Sequence, residues 1–300
     1  MTIEEILSEA VKAGASDVHM TAGLSPKMRV NGKLVTMSWP RLFPADTLAL
    51  LVSIMTQTQR ERFEETGEYD MSFAVRELGR FRVNAFKQKG CVAMAIRLIG
   101  TGIPTAESLG LPRAVQELYR KERGLVLVTG PAGCGKSTTL AAMVDKINSM
   151  REAHIITLEE PIEYLHSHKR SIVNQREIGV DTADYASGLR AALREDADVV
   201  LVGELRDYDT INTAIAAAET GHLVLTAMDT CEAMQAVERI LAAFPAEKQQ
   251  QARIRVAKVL ETVISQSFLS QEEQEGRRAA FEVLEVTEEI RKQIREGSFL

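Results

Sequence analysis

Hydrophobic positions recur at two different periods along this chain, and the change from one to the other divides it. Between residues 2 and 13 the apolar positions Ile6, Leu7, Ala10 and Val11 share one helical face, opened by a capping box of Thr2 with Glu5 and stopped near Gly14. Lys27-Met28-Arg29-Val30 and Lys33-Leu34-Val35-Thr36 then alternate around Asn31-Gly32, the strongest two-residue hairpin signal. Residues 44 to 65 read as helical. Three further alternating runs, Tyr69 to Val75, Gly79 to Phe86 and Cys91 to Ile99, predict strands separated by glycine-containing turns. Residues 1 to 99 thus predict a small α+β domain with an antiparallel sheet.

Gly100-Thr101-Gly102-Ile103-Pro104 has the composition of a linker, placed here over residues 100 to 111. Beyond it, helical periodicity alternates with short runs that are apolar at every position. The reading is helix 112–121, strand 125–129, helix 136–148, strand 154–158, helix 183–195, strand 198–202, helix 208–219 and strand 222–227. Continuous apolar runs are strands buried on both faces, and their alternation with helices predicts a mostly parallel sheet covered on both sides. A long helix over 246–269, a strand over 279–286 and a short helix over 287–296 complete an α/β domain spanning 112 to 300.

Composition narrows the class. With 300 residues, 45% hydrophobic and 26% charged, the chain is long enough for two cores and reads as a soluble globular protein. It has no transmembrane run, and its start, Met1-Thr2-Ile3-Glu4-Glu5, lacks the basic and apolar regions of a signal peptide, so a cytoplasmic location is expected. The net charge of -6 provides no broad basic footprint for nucleic acid. Cys91, Cys134 and Cys231 are scattered without a CxxC pair, so neither a zinc site nor a disulfide framework is expected.

The chemistry concentrates at Gly130-Pro131-Ala132-Gly133-Cys134-Gly135-Lys136-Ser137-Thr138, a P-loop set between an apolar run at 124–129 and a helical pattern. Glycines let successive backbone N–H groups converge on one anion, and the helix N-terminus adds its positive end there. Lys136 supplies a point charge for the β and γ phosphates of ATP, and the Ser137 hydroxyl suits Mg²⁺. Two apolar strands end in carboxylates. Asp198 to Glu204 has the Walker B arrangement, with Glu204 placed for the metal, and Ile155 to Glu163 ends in Glu159, Glu160 and Glu163. Ligands of open α/β sheets bind at the carboxyl ends of strands, so both ends point to one crevice. His222 opens a buried strand and reads either as a structural imidazole or as a sensor of phosphate.

These residues resemble the secretion ATPase superfamily and, within it, the type IV pilus retraction (twitching motility) ATPases of the PilT type. The resemblance is carried by Ser16-Asp17-Val18-His19 with Arg29-Val30-Asn31-Gly32, by Gly79-Arg80-Phe81-Arg82-Val83-Asn84 and by the P-loop. It continues through Thr157 to Glu163, Gly203-Glu204-Leu205-Arg206-Asp207, Glu219-Thr220-Gly221-His222 and the helix Glu289 to Glu296. It implies a PAS-like N-terminal domain joined to a RecA-like core, assembled as a homo-hexamer. The expected role is to hydrolyse ATP for pilus retraction at the cytoplasmic face of the inner membrane, against an inner-membrane platform protein. It also implies Glu163 as the carboxylate that activates water, Glu204 as the Walker B residue, and Arg80, Arg82 and Arg97 as arginines that reach the phosphates. Three departures stand out: Glu160 where the family has Asp, Asp229 in place of a second histidine, and an end at Leu300 soon after the signature helix. An anion at 229 would be repelled by triphosphate, so Asp229 is expected to face away from it and to pair with an arginine or lysine. Alternative readings are a pilus-assembly or type II secretion ATPase, disfavoured by the missing four-cysteine module, and a weakly hydrolysing accessory of the same machine. A nucleic-acid translocase ranks last.

Overall fold

Period-two alternation in the first hundred residues builds a sheet with one apolar and one polar face. The structure, a computed structural model, describes residues 1–99, 102–269 and 278–298. Its contacts divide the chain into two units, Met1–Gly102 with Glu163–Leu165, and Ile103–Ile162 with His166–Leu300. Gly100 and Thr101 of the expected linker, and the terminal Leu300, lie outside the described residues.

The first unit runs α1 (Ile3–Lys12), β1 (Asp17–Thr21), β2 (Lys27–Val30), β3 (Lys33–Thr36), α2 (Pro44–Ile54), α3 (Gln57–Thr66), β4 (Glu68–Val75), β5 (Gly79–Gln88) and β6 (Cys91–Ile99). The capping box of α1 is present, with the Thr2 hydroxyl accepting from the Glu5 N–H and the Glu5 carboxylate accepting from the Thr2 N–H. Helical periodicity over 44–65 resolves into two helices because Thr56 and Gln59 form a capping box of their own, which starts α3 afresh after extended Met55. The strands pair antiparallel in the order β3-β2-β1-β6-β5-β4. Val18, Met20, Phe81, Val83, Met94 and Ile96 face a core shared with Ile6, Leu7, Leu51 and Phe63 of the helices.

The second unit runs α4 (Arg113–Leu118), β7 (Gly124–Thr129), α5 (Lys136–Met150), β8 (His154–Glu159), β9 (Ile172–Glu177), α6 (Tyr185–Ala192), β10 (Val199–Val202), α7 (Tyr208–Glu219), β11 (Leu223–Met228), α8 (Ala233–Ala242), α9 (Gln249–Val259), β12 (Leu260–Leu269), β13 (Arg278–Glu285) and α10 (Glu288–Glu296). Its sheet has the order β13-β12-β7-β11-β10-β8-β9, parallel from β12 to β9, with β13 antiparallel at the edge. Every residue of β7, β10 and β11 is buried. Leu125 and Leu127 point into one apolar cluster with α6 to α10, whereas Val126 and Val128 point into another with α4 and α5. Helices on both faces explain why these strands read as unbroken apolar runs.

One sequence expectation is corrected here. The long helix over 246–269 stops at Val259, and Leu260–Leu269 is a strand beside β7, pairing Val263 with Leu127 and Ser265 with Thr129. The segment Leu260-Glu261-Thr262-Val263-Ile264 is rich in β-branched residues, and burial against β7 overrides the helical continuity that the preceding Gln, Ala, Arg and Lys residues suggest. Strands β1 and β9 and helix α8 were not among the predicted elements, and β9 has only one fully apolar pair, Ile172-Val173, to announce it.

Two separate cores predict separable effects. Phe81 is 1% exposed and stacks on Phe73 with ring centroids 5.4 Å apart. Phe81→Ala should cost about 3–5 kcal/mol of first-unit stability. Calorimetry should show one lowered transition and one unchanged, whereas uniform lowering of a single transition would contradict two independent cores.

Candidate functional site

The loop after β7 takes a path that only glycine permits. Gly130 has φ of 150°, and a Cβ on it would collide with the Gln266 carbonyl oxygen and the Cys134 sulfur. Gly133 at φ 77° and Gly135 at φ 96° continue the curl, and Gly135 precedes α5 without any side-chain cap. First-turn N–H groups of α5 therefore remain available to an anion, beside the positive end of the helix. Ser137, in that turn, is exposed, and Thr138 follows it.

Lys136 folds back over this loop. Its ammonium donates to the carbonyls of Gly130 at 2.9 Å and Pro131 at 3.0 Å and pairs with the Asp229 carboxylate at 2.6 Å. The expectation that Asp229 faces away from the phosphate site is thereby corrected, while its expected basic partner turns out to be the P-loop lysine itself. The cause is topological. β11 lies beside β7 in parallel register, with Met228 opposite Thr129, so residues 229 and 130 leave the sheet side by side.

A second group of residues was missed because it sits where a helix was expected. The side-chain amide of Gln266, 5% exposed, donates to the Cys134 carbonyl at 2.6 Å and accepts from the Thr139 hydroxyl at 2.8 Å. One side chain on β12 thus ties the middle of the P-loop to the first turns of α5. The signal was a glutamine, between Ser265 and Ser267, just after the β-branched Thr262-Val263-Ile264. Cys134 is buried, and burial holds its thiol pKa above the ordinary value despite the nearby Lys136 charge.

At the neighbouring strand ends the carboxylates divide their partners. Glu204 follows β10, and its Oε2 accepts from Nε of Arg206 at 2.8 Å and pairs with Nη2 at the same distance. Arg206 also faces Glu160 at 3.5 Å. The hydrogen bond that Arg206 donates to Glu204, more than the adjacent charges, raises the Arg206 pKa. Glu159 is tied to its own sheet, accepting from the Thr157 hydroxyl at 2.6 Å and the Gln175 amide at 3.0 Å. Glu163 belongs to the segment counted with the first unit, is half-buried, and makes no hydrogen bond or ion pair among the described residues.

His222 lies at the start of β11, opposite Gly124 rather than the P-loop, and six strand residues at about 3.3 Å each separate the two ends by roughly 20 Å. Its Nδ1 approaches the Ala217 carbonyl at 3.0 Å and the Thr220 hydroxyl at 3.3 Å, at the C-terminus of α7. For the P-loop of its own chain, the phosphate-sensing alternative is therefore replaced by the structural one.

Within the first unit, Arg82 stands opposite Arg97, and Arg97 opposite Asp17, on the sheet face away from the helices. Arg97 donates to Asp17 at 3.1 Å, and Arg80, two residues from Arg82 on the same face, donates to the Ser72 hydroxyl at 2.6 Å. Burial pushes the Asp17 carboxyl up, but hydrogen bonds from Ser16 and Arg97 and the Arg97 charge outweigh it and leave the pKa lowered. Arg82 is exposed and makes no hydrogen bond or ion pair among the described residues.

A cavity of 710 Å³ adjoins the loop, lined by Leu109, Gly135, Thr138, Gln266, Phe268 and Ala279 among others. Its size and mixed lining suit a drug-sized or nucleoside-sized group. Among the described residues no group of three or more His, Cys, Asp or Glu can hold a metal. The Ser137 hydroxyl and the Glu204 carboxylate are hard oxygen donors, and such a sparse set fits Mg²⁺, which retains several waters and shares its ligands with substrate phosphates.

The family profile of type II/IV secretion system proteins matches residues 1–299. The chain is 45% identical over 296 residues to the type IV pilus retractation ATPase PilT of Pseudomonas aeruginosa, covering 99% of this chain and 86% of that protein. It is 44% identical over 297 residues to the uncharacterized protein YggR of Escherichia coli, covering 99% and 90% respectively. The crystal structure of the pilus retraction motor PilT with bound ADP superposes with a TM-score of 0.93 at 49% identity, over 99% of this chain and 87% of that one.

Gln266→Ala should leave the Cys134 carbonyl and the Thr139 hydroxyl buried without their partner, at about 1–3 kcal/mol each. A lowered denaturation midpoint checks this, and an unchanged one would remove Gln266 as the clamp of the loop. Alkylation separates the thiols. Exposed Cys231 should react with a maleimide well before Cys134, which is 1% exposed and holds its proton, as peptide mass spectrometry would reveal.

Proposed function

The chain belongs to the type II/IV secretion system protein family, and from that premise we infer that it is an ATPase whose hydrolysis powers retraction of a type IV pilus. The observation that carries this reading is the P-loop itself, with its uncapped helix and buried lysine, in a chain that matches an ADP-bound retraction motor along nearly its whole length.

In this reading the backbone N–H groups from Gly133 to Thr138 hold the phosphates, Lys136 neutralises the charge on the terminal ones, and the cavity beside Phe268 receives the nucleoside. Mg²⁺, when bound, draws charge off the transferring phosphoryl group. Ser137 and Glu204 would hold it, and Arg206 keeps the Glu204 carboxylate pointed through one hydrogen bond and an ion pair. With Glu159 committed to Thr157 and Gln175, Glu163 is the carboxylate best left to accept a proton from the attacking water. Arg80, Arg82 and Arg97 carry the guanidinium charge that stabilises the developing γ-phosphoryl charge, with Arg82 the least committed of them. None of the helices in the described residues is long and apolar enough to cross a membrane. On the likeness to the retraction motor, the proposed setting is the cytoplasmic face of the inner membrane, as a homo-hexamer working against a platform protein there.

Three measurements test the reading. Lys136→Ala should abolish tight ATP binding by calorimetry, and unchanged affinity would dismiss this loop as the site. Glu163→Gln and Glu204→Gln should retain binding and lose turnover by about a hundredfold or more, while Arg82→Ala should lower turnover more than binding. Light scattering with ATP should give a hexameric mass, and a strictly monomeric mass at high concentration would remove the ring.

A further inference from the structure

We propose that Asp229 sets the nucleotide affinity of this site by occupying, with its carboxylate, the contact on Lys136 that the terminal phosphate of a nucleoside triphosphate takes. The inference rests on the nucleotide reading of the P-loop given above.

An ammonium group has three protons to donate, and Lys136 has three oxygens to receive them: the carbonyls of Gly130 and Pro131 and the carboxylate of Asp229. The lysine side chain is 11% exposed, so these oxygens replace most of its water. A phosphate oxygen that reaches Lys136 must displace one of the three. The carbonyls belong to the glycine-shaped loop, whose path is fixed by the approach of Gln266 to Gly130 and Cys134. Asp229 is the partner that can leave. It is 45% exposed and turns about its own side-chain bonds.

It does not leave far. The Asp229 carbonyl accepts from Arg239 of α8 at 2.8 Å, which fixes the backbone where β11 ends, level with the start of the P-loop. The displaced carboxylate therefore stays within a few ångströms of the incoming phosphate, and two like charges at that range in a cleft repel strongly. The opposition grows with the charge delivered to Lys136, so it falls more on a triphosphate than on a diphosphate. On product release the carboxylate closes on the lysine again and competes with rebinding. A neutral side chain at this position would hold the lysine more weakly, by an uncharged hydrogen bond at most, and would not repel the phosphate.

The experiment uses the full chain with Mg²⁺ and two probes, ADP and a non-hydrolysable ATP analogue, by calorimetry and thermal melting. Asp229→Asn should tighten the analogue roughly tenfold and ADP less. It should also lower the melting temperature of the nucleotide-free protein and enlarge the rise that nucleotide produces. Asp229→Ser, which removes the same charge with a smaller side chain, should behave alike if the Asn variant folds poorly. Glu232→Gln removes an equal, exposed charge three residues further on and should change neither affinity. Unchanged or weakened affinity in both 229 variants overturns the proposal, as does equal tightening by Glu232→Gln, which would reduce the effect to the general field. If the unaltered protein binds neither probe, the nucleotide reading fails and the proposal with it, an outcome distinct from a site that binds but ignores position 229.

Discussion

A buried ammonium needs oxygen on every side, and around Lys136 that requirement organises the second unit. Two of its acceptors are carbonyls that can face inward only because Gly130, Gly133 and Gly135 take backbone angles closed to other residues. The third arrives from β11, which must therefore run parallel to β7 and end level with it. On the other side of β7, β12 must run far enough to set Gln266 against Cys134 and Thr139. The central strands are buried on both faces for the ordinary hydrophobic reason, but their ends are matched to one side chain. The parallel sheet is thus the device that delivers three loops from distant parts of the sequence to a single point.

Much of this was legible in the residues. The unbroken apolar runs 125–129, 154–158 and 198–202 could only be strands covered on both sides, and each was placed within a residue or two. The capping box at Thr2 and the Asn31-Gly32 turn announced their elements through chemistry that acts within four residues. What failed was long-range. Nothing local in Val259-Leu260-Glu261-Thr262 states that a helix ends there, since the stop comes from β7 offering a free edge. The same error hid Gln266. Asp229 was misjudged for a related reason. Repulsion from a bound phosphate was weighed, but the lysine that Asp229 pairs with lies 93 positions earlier and becomes its neighbour only through strand pairing.

The carboxylates repeat the lesson on a smaller scale. Glu159, Glu160, Glu163 and Glu204 all follow apolar runs, and only the resemblance to a known family set Glu163 apart from its neighbours. Hydrogen bonding separates them. Glu159 is anchored within the sheet by Thr157 and Gln175, Glu160 and Glu204 share Arg206, and Glu163 is left without such a partner among the described residues. The two carboxylates proposed for catalysis thus differ in their partners, Arg206 for Glu204 and none among the described residues for Glu163, a difference that no spacing rule records.

Arg206 also bears on the departure at 160. Where the resembling family has Asp, this chain carries a side chain one methylene longer, and its Oε2 still comes to 3.5 Å of Arg206 while the tighter contacts, at 2.8 Å, go to Glu204. A guanidinium offers its donors in a fixed fork, so the partner that takes two of them fixes the plane and the other partner must adapt. Glu204 holds that fork here, and the extra length of Glu160 is taken up on the weaker side. Positions 160 and 229 then differ in kind. A longer acid at 160 preserves charge and is absorbed by a neighbour that already carries a countercharge. An acid in place of an imidazole at 229 adds an anion against the lysine proposed to hold the nucleotide, and it is there that the chain's departure from its resembling family has electrostatic force.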